Sequence, residues 1–134
     1  MKNSLISLVL FLCTIILVFF LNKSLITLCD EIQQKADIME QTILVNDFDT
    51  AFEQSIDLVN LLNQKNLVSS IYVTHECFDL LVDESVKLSV FISYKDAVDA
   101  NATLHSIKNM AKNMKELQTP TLENILTYMT KLSL

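Results

Sequence analysis

The first feature of the chain is an uncharged apolar stretch close to its N-terminus. From Leu5 to Leu21 the sequence reads LISLVLFLCTIILVFFL, which is seventeen residues without a charged side chain. As a helix this stretch is about 26 Å long, close to the hydrocarbon thickness of a bilayer. Because it is apolar on every side, it is a poor candidate for the core helix of a soluble domain. We therefore predict an uncleaved transmembrane anchor over residues 1–22.

Two other interpretations of the same stretch receive less support. A cleaved signal peptide has a shorter apolar region followed by small residues of the Ala-x-Ala kind, whereas Asn22-Lys23-Ser24-Leu25 follows this one. A lipoprotein signal would use Cys29, but a large residue, Leu28, stands directly before it. The anchor is therefore the favoured interpretation.

Beyond the anchor, apolar residues recur every three or four positions, which is the period of an amphipathic helix. No helix-breaking residue separates this pattern from the anchor, so we predict one long helix from about Ser4 to Val45 that is broken at Asn46-Asp47. Asp47 is a favourable N-cap for a second helix that runs to about Tyr72. Predicted buried positions are Leu25, Leu28, Ile32, Ala36, Met39 and Ile43 in the first helix, and Phe48, Phe52, Ile56, Val59 and Leu62 in the second.

Two further helices follow with the same period. Thr74 is placed to cap the third, and the fourth begins near Asp96, with Asp99 in the capping-box position three residues later. A short C-terminal helix through Leu132 is predicted to open at Thr119-Pro120, where proline takes its preferred first position. Predicted buried positions are Phe78, Leu81, Ser85, Leu88 and Ile92 in the third helix, and Ala97, Ala100, Leu104, Ile107, Ala111 and Met114 in the fourth.

The composition supports helices and argues against sheets. The chain contains no glycine and one proline, so it lacks the residues that build tight β-turns. The small residues in the apolar stripe of the fourth helix suit close antiparallel packing. The predicted fold is all-α: an N-terminal transmembrane helix that continues into an antiparallel helical bundle of about four helices, with the extramembrane bundle occupying residues 23–134.

Charge narrows the range of partners. The net charge is −6 and all ten basic residues are lysine, so the chain has no arginine to read phosphates or bases and no basic stripe. We therefore expect no nucleic-acid partner. Residues 46–99 hold ten acidic side chains against three lysines. If the fourth helix packs beside the second and third, Lys108, Lys112 and Lys115 would lie near that acidic surface; otherwise they form a solvated face.

The only dense group of reactive side chains is His75-Glu76-Cys77. Metal-binding helices place ligands three or four residues apart, and at that spacing His75 has only Asp79. A second pair would have to involve His105, whose helical neighbours are poor ligands. A nucleophilic Cys77 would need a base and an oxyanion hole, for which glycine-free helices offer few backbone amides. We therefore expect no catalytic residue, no metal site, no cofactor and no enzymatic activity.

The sequence leaves the pairing of the cysteines open. Cys13 lies in the predicted span, where we expect it to pack. Cys29 and Cys77 would form a disulfide if the bundle lies outside the cytoplasm and the first and third helices meet at these positions. The alternative is two free thiols that are mostly buried.

The orientation of the anchor depends on a small number of lysines. Lys2 precedes the span, whereas Lys23 and Lys35 follow it closely enough to count. A short basic tail ahead of a signal-anchor favours retention of that tail in the cytoplasm. We therefore expect a single-pass protein of the cell membrane with its C-terminal domain extracytoplasmic.

Four short motifs resemble the pattern of a known family. They are Asn46-Asp47-Phe48, Thr74-His75-Glu76-Cys77-Phe78-Asp79, Tyr94-Lys95-Asp96-Ala97 and Leu122-Glu123-Asn124-Ile125-Leu126. With the N-terminal anchor and this length, the whole chain resembles the family called domain of unknown function 4363, small proteins of spore-forming Firmicutes. Relatives often carry tryptophan in the second helix, where this chain has residues such as Leu62. The resemblance implies a membrane-anchored helical domain at the bacterial envelope or spore membrane, and no established activity.

The leading functional hypothesis is a non-catalytic accessory or scaffolding module. The anchor would hold the bundle at the lipid bilayer, where the bundle would bind another membrane or envelope protein. The alternative is a tethered bundle that binds or senses a small ligand between its helices. Phe48, Phe52, Phe78 and Phe91 would line such a pocket, although aromatic residues at these spacings more often belong to the core.

Overall fold

Four helices form the described part of the protein. The structure is a computed structural model that describes the backbone of residues 2–72 and 75–118 and the side chains of residues 5–65 and 76–117. The helices are α1 (Lys2–Leu44), α2 (Phe48–Tyr72), α3 (His75–Ser93) and α4 (Ala97–Gln118), and no strand occurs in these ranges. The predicted all-α fold is confirmed. The predicted cap at Thr74 and the predicted C-terminal helix from Thr119 lie outside the described residues.

The helices form a ring in which each one packs against two neighbours. α1 contacts α2 and α4, and α3 contacts the same two helices from the opposite side. Across the diagonals, over the described ranges, no Cα atom of α1 lies within 8 Å of one in α3, and the same holds for α2 and α4. Short connections between successive helices make the neighbours antiparallel. The core therefore lies along the axis of a four-helix bundle.

The first helix runs unbroken from the apolar stretch into this bundle, as the sequence predicts. Its six predicted core positions, Leu25, Leu28, Ile32, Ala36, Met39 and Ile43, are all buried. The helix ends at Leu44, one residue before the predicted end at Val45. One side of the core is therefore built on the helix that carries the apolar stretch.

The same turn closes the α1–α2 and α3–α4 junctions. In each, the helix is followed by a residue in the left-handed region: Asn46 with a φ of 61° and Lys95 with a φ of 57°. The amide of the next residue, Asp47 or Asp96, donates to a carbonyl five residues back at 3.1 and 3.0 Å, respectively. This is the Schellman motif, whose left-handed position usually holds glycine. Because the chain has no glycine, asparagine and lysine occupy that position.

Both aspartates also begin the next helix. The Asp47 carboxylate accepts a hydrogen bond from the Thr50 amide at 3.2 Å, and the Asp96 carboxylate accepts one from the Asp99 amide at 3.1 Å. Asp47 is thus the N-cap of α2, as predicted, and Asp96 is the N-cap of α4. A single aspartate therefore closes one helix and opens the next, which keeps both connections tight.

The predicted inner faces of α3 and α4 agree with the structure. All five predicted positions of α3 are buried, and so are those of α4 except Ala97, which is half-buried. The hydroxyl of Ser85 lies in this core and donates to the Leu81 carbonyl at 2.8 Å, so its burial leaves no unpaired donor. The clear stripes in these two helices were sufficient to define their orientation.

The predicted inner face of α2 is wrong by one row of side chains. Phe52 and Ile56 are each 39% exposed, and the residues that face the core are Ala51, Ser55, Leu58 and Leu62. Of the predicted positions, only Leu62 is buried, while Phe48 and Val59 are half-buried. Small side chains at Ala51 and Ser55 let α2 lie close to its neighbours, and the Ser55 hydroxyl donates to the Phe52 carbonyl at 2.7 Å. Close packing outweighs the greater apolar area of Phe52 and Ile56.

This placement of α2 predicts unequal effects of two alanine substitutions. Leu58→Ala should lower the free energy of unfolding by roughly 2–5 kcal/mol, because it leaves a cavity in the core. Ile56→Ala removes a comparable side chain that is already partly in water, so it should cost less than half as much. Urea unfolding of the full chain in detergent micelles, followed by circular dichroism, measures both. Equal losses, or a larger loss for Ile56→Ala, would contradict the observed face.

The left-handed residue in the second turn predicts a stabilising substitution. Lys95→Gly should raise the free energy of unfolding by about 0.5–1 kcal/mol, because glycine adopts this conformation without the steric cost of a Cβ atom. Lys95→Ala removes the same side chain but keeps Cβ, so it should give no gain. The same urea titration compares them. An equal gain from Lys95→Ala would assign the effect to the lysine side chain rather than to the backbone.

Candidate functional site

The N-terminal part of α1 stands clear of the bundle. Every side chain from Leu5 to Phe20 is exposed, and Phe19 and Phe20 have exposed fractions of 71% and 69%. Over the described residues, α1 is the one helix that is long and apolar enough to cross a membrane, with a mean hydropathy of 2.8 over a window of which none is buried. The bundle leaves this apolar surface uncovered, and an exposed apolar surface of this kind marks contact with a membrane or another protein.

The reactive side chains singled out in the sequence are dispersed. Glu76 is exposed, Cys77 is half-buried, and His75 is the first residue of α3, with its side chain outside the described set. His105 lies on α4, 3.7 Å from a carboxylate oxygen of Glu40 on α1. No group of three or more His, Cys, Asp or Glu side chains in the described ranges is placed to hold a metal ion.

The three cysteines are free thiols. Cys29 is fully buried on α1, Cys77 is half-buried on α3, and Cys13 is exposed on the apolar stretch. The Cα atoms of Cys29 and Cys77 are more than 8 Å apart, because α1 and α3 are diagonal in the bundle, and this exceeds the reach of a disulfide. Of the two alternatives that the sequence left open, this arrangement matches the free thiols.

Cys29 has the environment of a packing residue. Burial, aided by the negative charge of Asp30, raises the pKa of the Cys29 thiol to about 11. At neutral pH the thiolate fraction is therefore on the order of one in ten thousand, which leaves almost no nucleophile. Cys29 fills space in the core.

The four phenylalanines considered for a ligand pocket do not surround one cavity. Phe78 is buried in the core. Phe48 and Phe52 line a surface groove of about 370 Å³ between α2 and the end of α3. Phe91 lines a different groove, between α3 and α4. The four residues therefore lie in three different places: the core, the groove between α2 and α3, and the groove between α3 and α4.

Two lysines of α4 pair with acidic residues of α1. Lys108 donates to Asp37 at 2.6 Å and to Glu40 at 2.9 Å, and Lys115 donates to Asp30. The condition considered in the sequence, in which α4 packs beside both α2 and α3, is met only for α3, because α4 lies between α3 and α1. Lys108 and Lys115 therefore neutralise acids of α1 and not the acidic side chains of α2.

The surface of α2 and α3 carries an apolar strip, which we call the α2–α3 seam and define as Phe52, Ile56, Val86 and Val90. The exposed fractions are 39% for both α2 residues, 45% for Val86 and 46% for Val90. The groove that contains Phe52 also contains Ser93 of α3, and the positions three and seven residues before Ser93 hold Val90 and Val86. Helical periodicity therefore places both rows along one junction between antiparallel neighbours.

The sequence analysis missed the seam because it assigned two of its members to the core and the other two to no surface. A usable signal was present: the β-branched residues Val86 and Val90 are four residues apart, off the buried stripe of α3. The seam is also flanked by acidic residues, with Asp49 and Glu53 on α2 and Asp83 on α3, all exposed, and one lysine, Lys95, lies at the end of its groove. An apolar strip between acidic edges is suited to contact with a complementary protein surface.

The α1–α4 ion pairs predict a stability difference between two lysines. Hydrogen bonds to Asp37 and Glu40 raise the pKa of Lys108 above its ordinary value of 10.5. Lys108→Met should therefore lower the free energy of unfolding by about 1–2 kcal/mol at neutral pH. Lys112 pairs only loosely with Glu116, at 3.8 Å, and both are largely exposed, so Lys112→Met should cost no more than about 0.5 kcal/mol.

The pH dependence of this difference has a definite sign. Because folding raises the pKa of Lys108, its stabilising contribution is complete below the unfolded-state pKa of about 10.4 and is lost as pH rises through the folded-state value. The gap in unfolding free energy between Lys108→Met and the parent chain should stay constant from about pH 7 to pH 9 and narrow as pH rises beyond the ordinary lysine value of 10.5. A gap that already closes below pH 9 would contradict this assignment.

Comparison with known families identifies the chain. The family model described as Domain of unknown function (DUF4363) matches residues 19–125, which includes the entire described bundle and the last residues of the apolar stretch. A search of curated proteins and a search of solved structures each gave no match. The family model matches most of the sequence and confirms the resemblance drawn from the four motifs. The chain therefore belongs to the family described as Domain of unknown function (DUF4363).

Proposed function

We propose that the chain is a membrane-anchored, non-catalytic accessory or scaffolding module. The apolar part of α1 holds the bundle at the bilayer, and the α2–α3 seam binds another membrane or envelope protein. The observation that carries this proposal is the continuity of α1, which is fully exposed and apolar from Leu5 to Phe20 and then supplies one side of the core from Leu25 to Ile43. One helix thus joins a lipid-compatible surface to a folded domain.

The exposed stretch supports anchoring on energetic grounds. Burying one large aliphatic or aromatic side chain stabilises a protein by about 1.5–3 kcal/mol, and the stretch exposes more than a dozen of them. In lipid the same side chains have an apolar environment, and the backbone hydrogen bonds are satisfied within the helix. A bilayer therefore removes the cost that water imposes on this part of α1.

The proposed location is an extracytoplasmic face of the bacterial envelope or spore membrane of a Firmicute. Support comes from Lys2 ahead of the span and from the setting implied by the family resemblance. A reporter cysteine added after Leu134, with Cys13→Ser, tests this location with a membrane-impermeant thiol reagent. Labelling of intact cells is expected. Labelling only after lysis would place the bundle in the cytoplasm and contradict the proposed location.

The partner is expected to present a basic, amphipathic helical surface. Charge is the basis for this choice, because Lys108 and Lys115 of α4 are engaged with α1 while Asp49, Glu53 and Asp83 flank the seam. Apolar residues at helical spacing would fill the shallow strip between Phe52 and Val90, and flanking lysines or arginines would meet the acids. Opposite charges at the edges would set the orientation of the partner.

The seam predicts position-specific cross-linking. A photo-reactive amino acid at Val90 should form a covalent adduct with one envelope protein in native membranes, whereas the same group at Asn113, exposed on α4, should not. Adding Ile56→Asp to the Val90 variant should reduce the adduct about tenfold, because it places a charge in the apolar strip. Glu53→Lys should also reduce it, because it reverses an edge charge.

The outcome that contradicts this use of the seam is equally specific. Equal adduct yields from Val90 and Asn113, or an adduct that survives both Ile56→Asp and Glu53→Lys, would show that the contact does not depend on the seam. Urea unfolding of the same variants serves as the control. Glu53 is exposed, so Glu53→Lys should leave the stability unchanged, whereas Ile56→Asp should cost less than Leu58→Ala and leave the bundle folded.

A further inference from the structure

A groove of about 420 Å³ lies at the end of the bundle where α1 leaves it. Its apolar end is formed by Phe19 and Phe20, the last exposed residues of the apolar stretch. The groove then follows α1 past Lys23, Ser24 and Thr27, so it passes from the apolar surface to the first turns of the bundle within one cavity. A molecule that fills it must be apolar at one end and polar at the other.

Two cations from different helices line this groove. Lys23 comes from α1, and Lys65 comes from the C-terminal half of α2. Thr27 also lines the groove, and its hydroxyl donates to the Lys23 carbonyl at 2.9 Å. The fold brings these groups together although Lys23 and Lys65 are far apart in the sequence. Their shared charge favours an anionic group.

One acid limits where that anionic group can lie. Glu31 lines the end of the groove farthest from Phe19 and Phe20, one helical turn beyond Thr27. Its carboxylate repels an anion, so the favourable position is the stretch between Phe20 and Thr27. That stretch lies at the boundary between the apolar surface and the bundle, which is the depth of lipid headgroups if α1 spans the bilayer.

We propose that this groove binds one anionic phospholipid of the surrounding membrane. Its phosphate lies between Lys23 and Lys65, and an acyl chain lies along Phe19 and Phe20. The proposal rests on the anchoring of α1 proposed above and adds a specific lipid class to it. A basic pocket between helices at the membrane surface is a suitable site for an anionic headgroup, and each lysine contributes about fivefold to the preference for anionic lipid.

The absence of tryptophan from the chain allows a direct measurement. Ile16→Trp places a single tryptophan one helical turn from Phe19 and Phe20, where the acyl chain would run, and changes no residue that lines the groove. The full chain is reconstituted in vesicles of equal parts phosphatidylcholine and phosphatidylglycerol, with one of the two lipids brominated. Quenching by each brominated lipid then gives the relative occupancy beside the tryptophan.

The expected result is a preference for brominated phosphatidylglycerol of about 25-fold with both lysines present. Lys23→Gln and Lys65→Gln should each reduce it about fivefold, and the double variant should show no preference. Lys35→Gln removes the same charge from α1 outside the groove and should change nothing. Inorganic phosphate should compete no better than chloride at equal ionic strength.

Several outcomes would overturn the lipid site. These are equal quenching by the two lipids, a preference that survives in the Lys23→Gln/Lys65→Gln chain, and a loss as large with Lys35→Gln, which would indicate diffuse charge attraction. Strong competition by inorganic phosphate would identify a site for free phosphate instead. If neither brominated lipid quenches the tryptophan, α1 is not in the bilayer and the anchoring proposal fails as well; quenching without preference rejects the lipid site alone.

Discussion

The continuity of α1 is the constraint on which the rest of the structure depends. With 43 residues the helix is about 65 Å long, and its two halves require different surroundings. The first half is apolar on every side, whereas the second buries a single stripe from Leu25 to Ile43 and exposes the rest. Because the helix has no break between them, the direction of the first half sets the direction of the bundle axis. α2, α3 and α4 complete a core that α1 begins.

Two of the four short motifs that resemble the family lie at junctions between helices. Both motifs, Asn46-Asp47-Phe48 and Tyr94-Lys95-Asp96-Ala97, form the same turn, in which an aspartate closes one helix and caps the next. A third contributes Phe78 to the core and places Glu76 in the first turn of α3, where the helix dipole favours an acid. These residues have structural roles, and this supports the proposal of a module that binds rather than catalyses.

Local periodicity was enough to predict three helices and their faces, and it failed where packing between helices decides. The buried faces of α1, α3 and α4 were predicted correctly because large apolar residues recur along them. In α2 the buried face includes Ala51 and Ser55. Their small side chains contribute little apolar area but allow α2 to lie close to the neighbouring helices. The partners of Lys108 depend on which helices are adjacent in the ring, and the groove requires Lys23 and Lys65 to meet across two helices. Neither relation is present in any local stretch of sequence.

We propose that one uncleaved helix both anchors the protein and forms part of its core. The most direct test is the intact mass of the protein recovered from native membranes after an alkaline carbonate wash, which strips peripheral proteins. We expect a carbonate-resistant chain whose mass still includes residues 1–22. A chain that lacks those residues, or one released into the wash, would show that the apolar stretch is a removable signal or a peripheral contact, and would contradict the account.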